Sequence, residues 1–577
     1  MKVRLARRAG FCMGVRRAME LALSTGHGAQ GPVYTMGPLI HNPQVLELLS
    51  GLGVRQLPPD HPLTPGATVI IRAHGVPPSQ KRHLAEKGAN VVDGTCPRVV
   101  KVQAITRTAA QKGKQVVILG EPDHPEVIGI LGHAGQSGHV VQTPQDVAAL
   151  PPMQNVVLVA QTTQSQAAFD AVNQALAERF GPPEVFNTIC GATHRRQDEV
   201  RRLAGEVEAI VVVGGKASGN TRRLAEVAAG AGRPVFKVEN EEELDLSALA
   251  EYRTVGVTAG ASTPNWMINR VVRQLAALRG PDECLLAFGL RRAFRFLVRS
   301  QTLVALGAAG MTLLCGMMSG LAPSWPLTLA AFFYFYAIHV LNNFLDREAQ
   351  HYNDPDRSQF LQAHRGFLMG AGVAAAGLAL GLAALVGLAP FVLIGLMLLA
   401  GLLYSVTVVP KAWRARLGFA SLKDIPASKT ISAALAWAFV TAALPSLAAG
   451  LPFPSASALA LVVVGCLALV RYAMFDILDI QGDLIVGKET IPIVLGESTT
   501  RKLLSGLTGL AGLCALLAPV IGPAHVSAWV ALIPVTGLGF LQAGFYRGWL
   551  TPGAASEGLV DLNFFLPGLI CLAWLLG

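Results

Sequence analysis

Cysteine is scarce in this sequence. Of eight in 577 residues, Cys12, Cys96, Cys190 and Cys284 are scattered through the first half, and Cys315, Cys466, Cys514 and Cys571 sit inside apolar runs. Spacing this wide argues against a disulfide framework and against a CxxC knuckle or redox pair. The four in apolar runs read as small hydrophobic residues. Also missing is an apolar stretch behind the basic start MKVRLARRAG, so no secretory signal is expected and the first half is assigned to the cytoplasm. The net charge of +10 comes without a Lys/Arg run interleaved with aromatics. Nucleic acid is therefore not an expected partner, whereas membrane surfaces and small anions are.

Charge is what the second half lacks. Up to about residue 280, apolar runs of strand length alternate with polar helical stretches; from about 302, Leu, Ala, Val and Gly runs are long enough to span a bilayer. Nine spans are expected, near 302–322, 325–345, 366–387, 390–408, 430–448, 456–475, 503–521, 526–546 and 560–576. The basic residues beyond 301, among them Arg357, Arg365, Lys423, Lys429, Arg471, Lys488 and Arg547, fall in alternate loops by this reading. The positive-inside rule puts those loops on the cytoplasmic face of the inner membrane, beside the first half. Between the halves, Arg291, Arg292, Arg295 and Arg299 punctuate an apolar helical pattern, as in a juxtamembrane helix resting on anionic lipid. The expected domains are 1–280, a basic linker helix over 281–301, and 302–577.

AGFCMGVRRA, VDGTCPRVV and NTICGATHRRQ repeat one arrangement: a cysteine that follows a turn and opens a helical pattern with arginine in its first turns. A helix start favours the thiolate, and three converging thiolates hold a metal or cluster with one position open. Spacing alone does not separate this from three unrelated buried cysteines. His41, His74 and His124, the last with Glu126, stand just after apolar segments beside Pro or Gly, where open α/β units place ligands. VVVGGKASGNTRRLAEVA and GVTAGASTPNW read as strand, small-residue turn and helix, with donors suited to phosphate oxygens.

Taken in order, AGFCMGVRRA, GPLIHNPQV, IRAHGVPP, VDGTCPRV, GEPDHPEVIGILGH, AQTTQS, NTICGATHRRQ, KASGNTRRL and GVTAGASTP resemble the 4-hydroxy-3-methylbut-2-enyl diphosphate reductase family, over residues 1 to about 279. The resemblance implies an α/β trefoil of three modules around a central 4Fe-4S cluster on Cys12, Cys96 and Cys190. It also implies a substrate diphosphate among His41, His74, His124, Ser218, Gly219, Asn220 and Ser262, with Thr162 and Glu126 by the allylic oxygen. Glu126, Thr162 and His124 would be the catalytic group, and a ferredoxin or flavodoxin the one-electron donor. Gly219 stands where some relatives carry a second serine, leaving only its backbone N–H; Gly191 and Arg195 replace residues often Tyr and Asn.

The second half carries clustered carboxylates at the ends of spans. Asn342 and Asp346 close one, and Asp476, Asp479 and Asp483 fall on one helical face of another. Acidic groups at the mouth of a bundle usually bind an anion through Mg²⁺, although a solvated cap is the alternative. NNFLDREAQ, LLYSVTVVPK and GKETIPIVLG are similar to the UbiA-type intramembrane prenyltransferase family, which implies an all-α polytopic domain with Mg²⁺-bound prenyl diphosphate on Asn342, Asp346, Asp476, Asp479 and Asp483. The first motif departs from that family's pattern, with Asn343 and Gln350 at usual aspartate positions; Asp354 or Asp356 is a candidate substitute. Three functions stay open: a reductase with a fused transferase-like domain, a transferase as principal activity, and a reductase on a non-catalytic anchor.

Overall fold

In the computed structural model, the description covers all residues except 30, 41, 59–61, 65, 217, 346–352, 405–420, 451–454, 522, 523, 548, 551, 552 and 577. Two units divide the chain, Met1–Asp282 and Glu283–Gly577. The first is built on twelve short strands. β2 (Val33–Thr35), β3 (Val54–Gln56), β4 (Thr68–Ile71) and β5 (Asn90–Asp93) form a sheet in the order β3-β2-β4-β5. β6 (Gln115–Leu119), β7 (Gly138–Val141), β8 (Val156–Ala160) and β9 (Glu184–Val185) form a second, β7-β6-β8-β9. β10 (Ala209–Val213), β11 (Val235–Val238) and β12 (Thr254–Ala259) form the third with β1 (Lys2–Leu5), in the order β1-β12-β10-β11.

Every pairing is parallel. Parallel strands are covered on both faces and so read as unbroken apolar runs; Val116 to Leu119 and Val157 to Ala160 are fully buried, as that requires. Counted within a module, the order is the same three times: second, first, third, fourth. β1, the first strand of the chain, is the fourth strand of the last module. The three α/β modules expected from the repeat are thus present, and each fourth strand leads into one of the three cysteines.

The second unit is all-helical. Trp325–Leu345, Arg365–Val386, Ser428–Ala448, Ser455–Ile485, Glu497–Val520, Val526–Tyr546 and Ala554–Leu576 are long and apolar enough to cross a membrane. An eighth span is Thr302–Met318 taken with Leu285–Arg299, which meets it at 73°. The expected count of nine becomes seven or eight among the described residues. Leu388–Leu403 is apolar but only 16 residues long, roughly 24 Å of helix against a hydrocarbon core of about 30 Å. Small residues let these helices approach closely: a Cβ on Gly568 would fall 2.3 Å from the Gly310 Cα.

A charge deep in a span sits elsewhere than expected. Arg471 is not in a loop but inside Ser455–Ile485, a helix eleven residues longer than the span read from the sequence. It is 7% exposed and pairs with Asp561 of Ala554–Leu576 at 2.7 Å. An arginine looks like a boundary when its compensating carboxylate lies ninety residues away.

Candidate active site

Each cysteine is the N-cap of a helix: Cys12 of Met13–Gly28, Cys96 of Pro97–Gln111, Cys190 of Gly191–Ala204. The Cys12 and Cys190 thiols accept no capping hydrogen bond, so those sulfurs are left for another use. Their backbone N–H groups repeat one contact, donating to a carbonyl just past the third strand of the module: Cys12 to Ala261 (3.2 Å), Cys96 to Ala73 (2.9 Å) and Cys190 to Thr162 (2.8 Å). That latch puts each thiol beside a loop that carries a proposed substrate ligand.

The thiol-bearing loops also meet one another. A Cβ on Gly14 would fall 2.6 Å from the Cys96 Sγ, and Arg17 of the same helix donates to the Thr95 carbonyl at 2.8 Å. Burial pushes the Cys96 thiol up; the N–H groups of Arg98 and Val99 pull it down, and Cys12 and Cys190 push it up again. The expectation that a helix start alone lowers this thiol is therefore corrected: desolvation outweighs the two N–H donors. Among the described residues, no three His, Cys, Asp or Glu side chains surround one point where a single ion would sit. Cysteines of an iron–sulfur cluster each bind a different iron, so three separated thiols suit a cluster where they do not suit mononuclear zinc.

Two residues that the sequence reading left without a role fix this geometry. Arg196 donates through Nε to the Arg8 carbonyl (2.7 Å) and through Nη2 to that of Gly10, while Glu199 accepts from the Arg7 and Arg8 N–H groups at 2.7 and 2.9 Å. Together they hold the loop that ends in Cys12. Burial pulls the Arg196 guanidinium down, and Cys12, Cys190 and Glu199 in thiolate or carboxylate form push it back up. The signal was available: Arg196, Glu199, Val200 and Leu203 share one helical face, so two charges stand on an apolar stripe.

Loops after the first strands hold His124 and Ser218; loops after the third strands hold His74, Thr162 and Ser262. His41 lies outside the described residues. His124 caps Pro125–Ala134 by accepting the Glu126 N–H at Nδ1 (3.1 Å), which leaves the neutral ring's proton on Nε2. His74 packs edge-on against it, with ring centroids 5.4 Å apart. Ser218 caps Gly219–Gly230. Gly219 therefore offers a helix-terminal N–H, and the Asn220 Nδ2 is buried without a hydrogen-bond partner among the described residues.

Glu126 is 2% exposed. Its Oε1 accepts the Thr162 N–H at 2.6 Å and its Oε2 the Thr162 hydroxyl at 2.9 Å. Burial pushes its carboxyl up to about 7, against the pull of those two bonds. A group poised there carries or releases a proton near neutrality.

In the second unit Asp476, Asp479 and Asp483 lie on one helix, as their spacing predicts. Asp476 accepts from the Thr430 hydroxyl and, at 3.3 Å, from Lys429; Asp483 Oδ1 accepts from Asn353 at 3.0 Å. The Asn342 Oδ1 and the Asp483 Oδ2 are each buried with no hydrogen-bond partner among the described residues, and hard oxygens are the donors Mg²⁺ takes, although no three His, Cys, Asp or Glu side chains surround one point there among the described residues. Asp346 and Gln350 lie outside the described residues. Asp354, a candidate substitute, is already engaged, capping Pro355–Ala363 and pairing with Arg357 at 3.5 Å. Beneath Asp476, the Tyr472 hydroxyl bonds His339 Nε2 and Trp437 Nε1, each at 3.1 Å.

Residues 3–276 match the family model described as LytB protein, and residues 289–557 match the UbiA prenyltransferase family. The chain is 43% identical over 275 residues to a 4-hydroxy-3-methylbut-2-enyl diphosphate reductase of Geobacter sulfurreducens, covering 48% of this chain and 97% of the relative. The counterpart of Solidesulfovibrio magneticus is 44% identical over 283 residues, covering 48% and 99%. A solved structure of (E)-4-hydroxy-3-methyl-but-2-enyl diphosphate reductase is 41% identical and covers 48% of this chain and 100% of its own, with a TM-score of 0.42. Identity of this degree along nearly the whole of each relative means that the chain belongs, through its first unit, to the LytB family of 4-hydroxy-3-methylbut-2-enyl diphosphate reductases.

Proposed function

We propose that the first unit reduces (E)-4-hydroxy-3-methylbut-2-enyl diphosphate to isopentenyl and dimethylallyl diphosphates. The substrate takes up two electrons and two protons and loses its hydroxyl as water. Cys12, Cys96 and Cys190 are the residues that would hold a 4Fe-4S cluster, which when bound supplies single electrons and a Lewis-acidic iron. His41, His74, His124, Ser218, Gly219, Asn220 and Ser262 bind the diphosphate. The Nε2–H of His124 faces it, because Nδ1 is committed to the Glu126 N–H. Thr162 holds the Glu126 carboxyl in place, and Glu126 gives its proton to the departing hydroxide.

Glu126 carries this reading: it is buried, held by Thr162, and pushed up to about 7. Anaerobically purified full-length protein is expected to be brown and to consume the substrate with a reduced ferredoxin, flavodoxin or chemical one-electron donor. Iron-replete protein that does not turn over refutes the assignment. With the basic loops on the cytoplasmic face, the first unit works in the cytoplasm, tethered to the inner membrane.

The free oxygens of Asn342 and Asp483 favour a second activity over a passive anchor. Asn342, Asp346, Asp476, Asp479 and Asp483 would bind a prenyl diphosphate through Mg²⁺. Magnesium-dependent consumption of a prenyl diphosphate, abolished by Asp476→Ala with Asp479→Ala, is the expected result. The absence of any consumption leaves the membrane half an anchor.

A further inference from the structure

Arg72 follows β4 directly and precedes His74 by two positions. Its guanidinium reaches back across the sheet edge to Gly37, in the loop that runs from β2 toward His41. A Cβ on Gly37 would fall 2.8 Å from Nη1, and Gly37 has φ +74, so a glycine there both permits the turn and leaves the cation its space. The guanidinium thus stands between the loops that follow β2 and β4.

Nothing among the described residues neutralises it. Among the described residues the Arg72 guanidinium makes no ion pair, its Nε is buried without a hydrogen-bond partner, and burial alone pulls it below the usual arginine range. Arg196, a more deeply buried guanidinium of this unit, has two carbonyls, a carboxylate and two thiols around it. A half-buried cation with no counter-charge among the described residues is unfavourable for the empty fold, and an arriving anion would relieve it. The planar fork of arginine suits paired phosphate oxygens.

We propose that Arg72 is a substrate-positioning residue that binds the diphosphate from the side of the loops that follow β2 and β4, supplying the permanent positive charge that titratable imidazoles, hydroxyls and an amide do not. The inference rests on the reductase reading and extends it. Arg72 acts on diphosphate affinity and on the preference for a diphosphate, and takes no part in proton or electron transfer.

The test uses full-length protein in detergent, with EDTA present so that the membrane half cannot bind diphosphate through magnesium. Equilibrium binding of inorganic diphosphate is measured for wild type, Arg72→Met and Arg72→Lys, together with KM and kcat for the hydroxymethylbutenyl diphosphate. Arg72→Met should weaken diphosphate binding and raise KM roughly ten- to a hundred-fold, with kcat falling less than about threefold. Arg72→Lys should recover part of the binding. The substrate-free Met variant should unfold at no lower temperature than wild type, because it loses a half-buried charge with no counter-charge among the described residues. Unchanged diphosphate binding in Arg72→Met, or a loss confined to kcat or to stability, overturns the assignment while wild-type turnover leaves the reductase reading standing. Wild type that neither binds diphosphate nor turns over overturns both.

Discussion

The two units bury charge in opposite ways. In the membrane half, the buried arginines Arg471 and Arg357 are matched: Arg471 sits on Asp561, and Arg357 on Glu557 and Asp354. Among the described residues of the first half, Glu126 is buried against the neutral Thr162, and the half-buried Arg72 faces no counter-charge. Matched pairs join helices, and removing one partner strands the other in a low dielectric. Unmatched charges are poor glue but useful chemistry: a carboxyl that keeps its proton near neutrality, and a cation ready for an anion. Within one chain, the absence of a partner marks the reacting site better than the presence of charge does.

Breaking the lone carboxyl should have the largest effect. Glu126→Gln keeps the size and an acceptor for the Thr162 hydroxyl but gives up the proton, and a loss of about 10² to 10⁴ in kcat is expected, with cluster content and KM nearly preserved. Near-wild-type kcat would remove Glu126 from the chemistry. Breaking a matched pair should act on stability instead. Asp561→Ala leaves Arg471 buried alone and should cost the membrane half about 3 to 5 kcal/mol in detergent unfolding, while soluble-substrate turnover persists. Asp561→Ala together with Arg471→Met should restore most of that loss; failure to do so would mean that the pair does more than hold helices together.

A pH series sharpens the same contrast. The Glu126 carboxyl is raised from 4.5 to about 7 in the folded protein. Its contribution to stability is therefore full below about pH 4.5 and is lost as pH rises through about 7. Relative to wild type, Glu126→Gln should gain stability between pH 5 and pH 8, and wild-type kcat should fall above neutrality as the proton is lost. A flat stability difference across that range contradicts the assignment. The smallest effect is expected at Gly219, where a Cβ meets nothing within 4 Å. Gly219→Ser adds a hydroxyl at the helix start and should lower KM by no more than about fivefold, the worth of one net hydrogen bond.

Much of this was legible in the sequence because it is local. A cysteine followed by Pro or Gly and a helical pattern announces a helix start, and Cys12, Cys96 and Cys190 are all N-caps. Strand-length Val and Ile runs announced covered parallel strands, and the 476, 479, 483 spacing announced one helical face. What could not be read are relations between distant segments. β1 completes a sheet whose other strands begin at Ala209. Arg196 and Glu199 hold a loop nearly two hundred residues earlier. Arg471 resembled a loop residue until Asp561 was placed beside it, and Arg72 passed as one more basic residue until it was seen to have no partner.

The central claim, that the first unit keeps a lone buried carboxyl as its proton source, is tested most directly by infrared difference spectroscopy of wild type against Glu126→Gln across pH. The carbonyl stretch of a protonated carboxyl should appear only in the wild type and vanish with a midpoint near pH 7. A midpoint near 4.5, the ordinary glutamate value, would mean that Glu126 is ionised at neutral pH and cannot hold the proton this mechanism requires.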